Sequence, residues 1–338
     1  MILHNKYVFG CLVQFYEIEM VPEHIDSCIQ MLEGIENPEN VTFQFVFNKQ
    51  EYLEQIDPKV HGTSGNLTRS KFLDQIDRLA DIGANVVFET KRNDDPFYNI
   101  ARFRRDLIYK NCEDFDFIMF SETDSLWPKR TLQIIEHLWR QVNDFSPKFL
   151  LTFGYRLNWD SSWKKLVHPM FAGISYIDND DFVLNNEASE KAYMTLERMN
   201  EINESVAFED IEIMAYPDPK ADGSCLVMSA DLAMSIGGMP HALLHCGEDE
   251  AIVRQCKMVM GDNMVQYHVR NQLRVHNRRH PRKRVGVLNE DNPLGFCDIR
   301  KGDWWNIIEN ASKYNLEKLR EQGRFIRMKD VLKQIKGQ

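Results

Sequence analysis

The 338-residue chain lacks several features that would assign it quickly. No stretch approaches the roughly 18 consecutive apolar residues of a membrane span. The apolar patch near the start, residues 7 to 15, is preceded only by Lys6 as a strong positive charge and is followed by Glu17 and Glu19 without a small-residue cleavage site. It reads as a core strand rather than a signal peptide. The cysteines (Cys11, Cys28, Cys112, Cys225, Cys246, Cys256, Cys297) are odd in number and scattered, with no Cys-x-x-Cys pair. That pattern excludes a disulfide framework and a Cys-rich zinc site, and predicts reduced thiols in a cytoplasmic protein. There is no internal repeat and no low-complexity tract. A glycine-rich phosphate loop is also missing after the first apolar run, which holds only Gly10 and leads into Tyr16-Glu-Ile-Glu19. This argues against a nucleotidyltransferase.

Charge of one sign is scarce in one place. Residues 270 to 284 hold seven Lys/Arg and no acid; taking them out of the formal −10 leaves −17 on the rest. One concentrated basic segment on an acidic chain suits a polyanion such as duplex DNA, and equally suits a solvated loop paired with nearby acids.

What is present alternates. Residues 7–15, 41–47, 84–89, 117–120 and 149–157 read as short strands, the second with Val41, Phe43, Phe45 and Phe47 on one face. Between them, Val21 to Leu32, Phe72 to Ile82, Asn99 to Asn111 and Pro128 to Val142 read as helices, the first with Pro22 in its opening turn. Such alternation predicts an α/β fold with a parallel, doubly wound sheet. Residues 178–220 are acidic, carry a predicted helix over Glu187 to Ile202, and read as an insertion. Gly223 to Met239 reads as strand, helix and glycine turn, Val265 to His276 as a strand, and the tail from Trp304 as helical.

The chemistry concentrates at the end of the 117–120 strand, where Glu122 and Asp124 follow one residue apart. Ligands of open α/β sheets bind beyond the carboxyl ends of the strands. Hard oxygen donors placed there suit Mg2+ or Mn2+ bridging phosphate oxygens, although a solvated acidic turn is the competing reading. Further on, Gly247-Glu-Asp-Glu250 opens a helix, where acids also serve as simple caps, and His276 ends the last strand.

Taken in order, Ser121-Glu-Thr-Asp-Ser125, Ser235-Ile-Gly-Gly-Met239, Gly247-Glu-Asp-Glu250 and His276 resemble the motifs of GT-A fold, family-2-like glycosyltransferases over roughly residues 5 to 280. The resemblance implies a Rossmann-like, mostly parallel sheet flanked by helices over 1–285, with the insertion at 178–220. A helical extension, 286–338, would pack back on that core. It implies a nucleotide-sugar donor, a UDP-sugar first, and Mn2+ or Mg2+ held by Asp124 and His276, with His268 as a rival ligand. Glu122, where the family more often has Asp, would meet the donor ribose or a metal-bound water. Donor contacts would come from Gln14, Tyr16 and Asn48, and from Arg102 and Arg105 toward the diphosphate. The base would be Asp249, ahead of Glu248 and Glu250. Trp127, Trp159 and Trp163 could stack on a sugar or pack in the core.

The texture is similar to phage-encoded proteins, whose glycosyltransferases include enzymes that modify hydroxymethylated cytosine in DNA. Arg278, Arg279, Arg282, Lys283 and Arg284 would then contact the duplex. A polysaccharide or lipopolysaccharide acceptor is the alternative, and a non-catalytic nucleic-acid binder the reading of another class.

Overall fold

The computed structural model describes residues 1–14, 20–48, 66–91, 100–144, 147–155, 157–159, 165–171, 194–216, 223–236 and 248–277, with Tyr314, Glu317 and Glu321. Tyr16, Trp163, the five cations from Arg278 to Arg284, the glycine turn at Gly237-Gly238, Gly247 and most of the 286–338 tail lie outside the described residues.

Among the described residues the central sheet has eight strands: β1 (Tyr7–Gln14), β2 (Val41–Asn48), β3 (Asn85–Lys91), β4 (Phe117–Glu122), β6 (Phe149–Gly154), β9 (Ile213–Tyr216), β10 (Leu226–Ser229) and β11 (Val265–Leu273). Two small ladders are separate from it, β5 (Ser125–Leu126) with β12 (Val275–His276) and β7 (Leu157–Trp159) with β8 (Lys165–Val167). The order across the central sheet is β3-β2-β1-β4-β10-β6-β11-β9. Strands β3, β2, β1 and β4 run parallel, as does the β6–β11 pair. The mostly parallel sheet expected from the sequence is borne out, its exceptions being β10, which runs antiparallel between β4 and β6, and β9, antiparallel to β11 at the edge. The sheet is thus mixed but mostly parallel.

The helices are α1 (Val21–Met31), α2 (Asn66–Asp81), α3 (Ile100–Asn111), α4 (Thr131–Val142), α5 (Leu196–Glu204), α6 (Ala230–Ile236) and α7 (Glu248–Met260). They cover both faces, and β1 shows why. Tyr7, Phe9, Cys11 and Val13 enter one apolar cluster with side chains of α1, α2 and α4, while Val8 and Leu12 enter a second with α3, α6 and α7. The period of two turns successive side chains to opposite faces, so a strand buried on both sides is apolar throughout. No described helix is long and apolar enough to cross a membrane.

The described part of the 178–220 insertion is less separate than its composition suggests. Its end, β9, completes the sheet edge beside β11, and α5 buries Leu196, Met199 and Ile202 against Leu273 and Val275. Asn203 fastens this helix, its amide accepting from Leu273 N at 2.5 Å and donating to Leu273 O at 2.7 Å. The acidic side chains on its outer face hide the apolar stripe in a composition count.

Candidate active site

Parallel pairing brings the carboxyl ends of β1, β2 and β4 to one edge of the sheet, with Gln14 in register with Asn48 and Leu12 in register with Glu122. Beyond β4 the chain turns through Thr123 and Asp124 into β5 (Ser125–Leu126), which pairs antiparallel with β12 (Val275–His276). His276 stands opposite Ser125, and Asn277 N donates to Asp124 O at 2.6 Å. This small ladder carries His276 across to the carboxylates. Its Nε2 lies 3.0 Å from Glu122 Oε2 and 3.3 Å from Asp124 Oδ1.

Burial works against a charged imidazole here, but the two carboxylates overcome it and raise His276 to about 10. Burial likewise pushes the Glu122 carboxyl up, and is outweighed by His276 and Arg104, so Glu122 titrates below its ordinary value. An imidazolium held this firmly marks a strongly negative niche. One ligand atom from each of Glu122, Asp124 and His276 lies within 4.8 Å of the other two, so the three could share one cation. Two oxygens and an imidazole nitrogen fit Mn2+ well, and Mg2+ through the oxygens.

Glu122 is therefore placed with the metal-ligand candidates. His268 is placed elsewhere: it is buried in β11, with Nδ1 3.0 Å from Thr152 Oγ1 and its ring stacked on Tyr216. Trp127 is fully buried between Phe9 and Phe153 and donates to Ser121 Oγ at 2.8 Å, which makes it a core residue rather than a stacking platform.

On the other side of Glu122 stands a residue that the sequence reading passed over. Arg104 is fully buried, with Nη2 2.8 Å from Glu122 Oε1 and Nη1 2.9 Å from Glu248 Oε1. Nη2 also donates to Gly223 O at 2.9 Å. The signal was available in the helical period. Ile100, Phe103, Leu107, Ile108 and Asn111 form the inward stripe of α3, and position 104 falls on it. Arg105 falls off the stripe and pairs with Asp106 at 2.8 Å.

The three acids at the start of α7 part ways. Glu248 turns inward to Arg104. Burial raises its carboxyl to about 7, with Asp249 and Glu122 adding to the rise and Arg104 opposing it. Asp249 accepts from Gly223 N at 3.0 Å and, through its other oxygen, from Glu250 N at 2.8 Å. Glu250 is half-buried and pairs with Arg254 one turn on, at 2.9 Å. Gly223 thus sits between the arginine and Asp249, and its neighbour Ser224 accepts from the buried Arg274, whose guanidinium lies 4.4 Å over the Tyr155 ring. Of the basic segment, then, Arg274 is interior and Arg270 pairs with Glu212 at 3.4 Å.

No family model matches the chain, and no curated protein sequence matches it. Solved structures do. The TarS 1-349 structure from S. aureus is 10% identical, covers 93% of this chain and 76% of its own, and has a TM-score of 0.44. GalNAc-T7, solved with UDP, GalNAc and Mn2+, is 12% identical over 98% of this chain and 56% of its own, at 0.43. The glucosyl-3-phosphoglycerate synthase of Mycobacterium tuberculosis, in complex with Mn2+, UDP and phosphoglyceric acid, is 11% identical over 92% and 78%, at 0.41. At these scores the activity has to be argued from the site.

Proposed function

We propose that the chain is a metal-dependent glycosyltransferase that moves a sugar from a nucleotide-sugar donor to a hydroxyl acceptor. The observation that carries this reading is the meeting of Glu122, Asp124 and His276 at the carboxyl edge of the sheet, joined through Arg104 to the acids that open α7. A divalent cation in that triad would supply positive charge to the diphosphate leaving group. The imidazole favours Mn2+ over Mg2+, which prefers an all-oxygen shell.

The remaining work falls to the chain's own groups. The acceptor oxygen must bond to the anomeric carbon as the bond to the nucleoside diphosphate breaks, and its proton must go to a base. We assign the base to Asp249, which is less buried than Glu248 and stands next to it. Glu248, held by Arg104, orients the start of α7. To the nucleoside we assign Gln14 and Asn48, whose backbones pair in register at the strand ends, together with Tyr16.

For the acceptor we propose a hydroxymethylated base in duplex DNA, with the reaction in the cytoplasm, a host's if the chain is phage-encoded. The support is in the sequence: Arg278, Arg279, Arg282, Lys283 and Arg284 begin two residues after His276. Contacts of this kind release counterions and make binding salt-sensitive.

The test is a screen of nucleotide-sugars with Mn2+, with and without hydroxymethylated DNA, read by mass spectrometry. Donor turnover that disappears in Asp124→Asn supports the transferase. Turnover without DNA modification moves the acceptor to a polysaccharide or lipopolysaccharide sugar. DNA binding with no turnover of any donor would leave a nucleic-acid binder and overturn the enzyme.

A further inference from the structure

The turn that carries Asp124 is mounted on α1. His24, in the first turn of that helix, is fully buried, with Nδ1 2.7 Å from the carbonyl oxygen of Ser125 and Nε2 3.9 Å from Cys28 Sγ one turn further along. Ser27 adds a second hold, its hydroxyl donating to His24 O at 2.7 Å and accepting from Trp127 N at 3.3 Å.

The roles of the two ring nitrogens follow from their partners. A carbonyl oxygen can only accept, so Nδ1 carries the proton. Nε2 then presents a lone pair, and Cys28 faces it with an S–H, because burial holds that thiol well above its ordinary range. Burial also lowers His24 to about 4, with the Ser125 carbonyl and Asp124 opposing, so the ring is neutral. Cys28 and His24 thus form one directed chain of donors that ends on Ser125 O, in the peptide joining Ser125 to Leu126. From the opposite side the same turn is held by the pairing of His276 with Ser125 and by Asn277 N on Asp124 O.

We propose that His24 is a positioning residue for the metal turn: its Nδ1–H fixes the Ser125 peptide, and so the direction in which Asp124 faces His276. The proposal rests on the metal site of the preceding reading. His24 is 101 residues from Ser125 in the chain, and only the fold brings them together. Partners that orient ligands in this way change metal affinity by about 10- to 100-fold when removed.

The test has two parts. In metal-free, 15N-histidine-labelled protein, NMR is expected to show His24 as the neutral tautomer protonated on Nδ1; a proton on Nε2 overturns the proposal. Mn2+ titrations then compare the natural chain with His24→Phe, which fills the site without a donor, and His24→Asn, whose amide nitrogen can stand where Nδ1 stands. The expected result is an affinity about 10- to 100-fold weaker in His24→Phe and within about threefold in His24→Asn. A folded His24→Phe with a lowered Tm but unchanged Mn2+ affinity makes His24 a packing residue only and overturns the idea. Should His24→Phe not fold, the tautomer and the His24→Asn titration decide: Nδ1 protonation with affinity retained supports the proposal, and any other result overturns it. If the natural chain itself takes up no Mn2+, the metal reading falls and this proposal with it. Uptake by the natural chain that is indifferent to His24 overturns this proposal alone.

Discussion

Arg104 lies so close over Gly223 that a β-carbon at position 223 would overlap both terminal nitrogens of the guanidinium. The glycine is required by proximity, since its φ is not in the left-handed region. The guanidinium cannot retreat without leaving Glu122, Glu248 or the Gly223 carbonyl, all within 2.9 Å. Gly223→Ala is therefore expected to push Arg104 out and leave two acids short of a cation. Removing one partner of a buried ion pair costs about 3–5 kcal/mol, and overpacking adds about 1–3. Urea denaturation measures the loss, and donor turnover should fall with it. A Gly223→Ala protein of unchanged stability and turnover would show that Arg104 has room to move.

Glu248 gives a pH signature. Its folded value is raised to about 7, above the ordinary 4.5, so the folded protein holds this proton where the unfolded chain has released it. The contribution to stability is fully present below pH 4.5 and is lost as pH rises through 7. In Glu248→Gln that proton is no longer exchanged, and the fall in Tm between pH 5 and 7.5 should be shallower than in the natural chain. Parallel Tm curves would contradict the assignment.

His276 gives the opposite kind of coupling. It is protonated at neutral pH when the triad is metal-free, since its value is raised to about 10. A cation needs the neutral imidazole, so binding must release that proton. Calorimetric Mn2+ titrations in two buffers of different ionisation enthalpy should report about one proton released per ion at pH 7, and affinity should rise with pH up to about 10. His276→Gln should abolish the proton release. In the metal-free protein the sign runs the other way. The ion pair stabilises the fold fully below pH 6.5 and its contribution is lost as pH rises through about 10.

Much of this site was legible in the sequence because the residues that build it end elements. Glu122 and Asp124 follow an apolar run too short for a helix, and His276 closes a strand, so their chemistry stands out against their surroundings. Arg104 and His24 were missed because each sits inside an amphipathic helix, where a polar residue on the apolar stripe is read as noise. Arg104 makes the cost of that habit plain. The two arginines noticed, 102 and 105, were the ones off the stripe, although a charge on the buried face needs a partner and so points to one. The order β4-β10-β6 was not legible at all. Nothing local in Leu226–Ser229 records that it enters the sheet antiparallel, because a strand buried on both faces has no alternation to reveal direction.

The carboxylate turn is also tied to the start of α5, the helix within the acidic insertion. The Asn277 side chain accepts from Met194 N at 3.0 Å and donates to Met194 O at 2.9 Å, while its own backbone N–H holds Asp124 O. The amide satisfies both backbone groups of one residue, as a strand partner would, and it does so in the interior, since Asn277 is 1% exposed. In Asn277→Ala the backbone bond to Asp124 survives and the two bonds to Met194 do not. Leaving those groups buried without partners costs about 1–3 kcal/mol each at most. Because Leu196 N is held separately by Glu23 Oε1 at 3.1 Å, the loss should stay local. Hydrogen exchange is expected to speed up at Met194 and the first turn of α5 and to leave β4 protected. Exchange that quickens equally in β4 would mean that Asn277 supports the whole carboxylate turn through its side chain rather than through its backbone N–H.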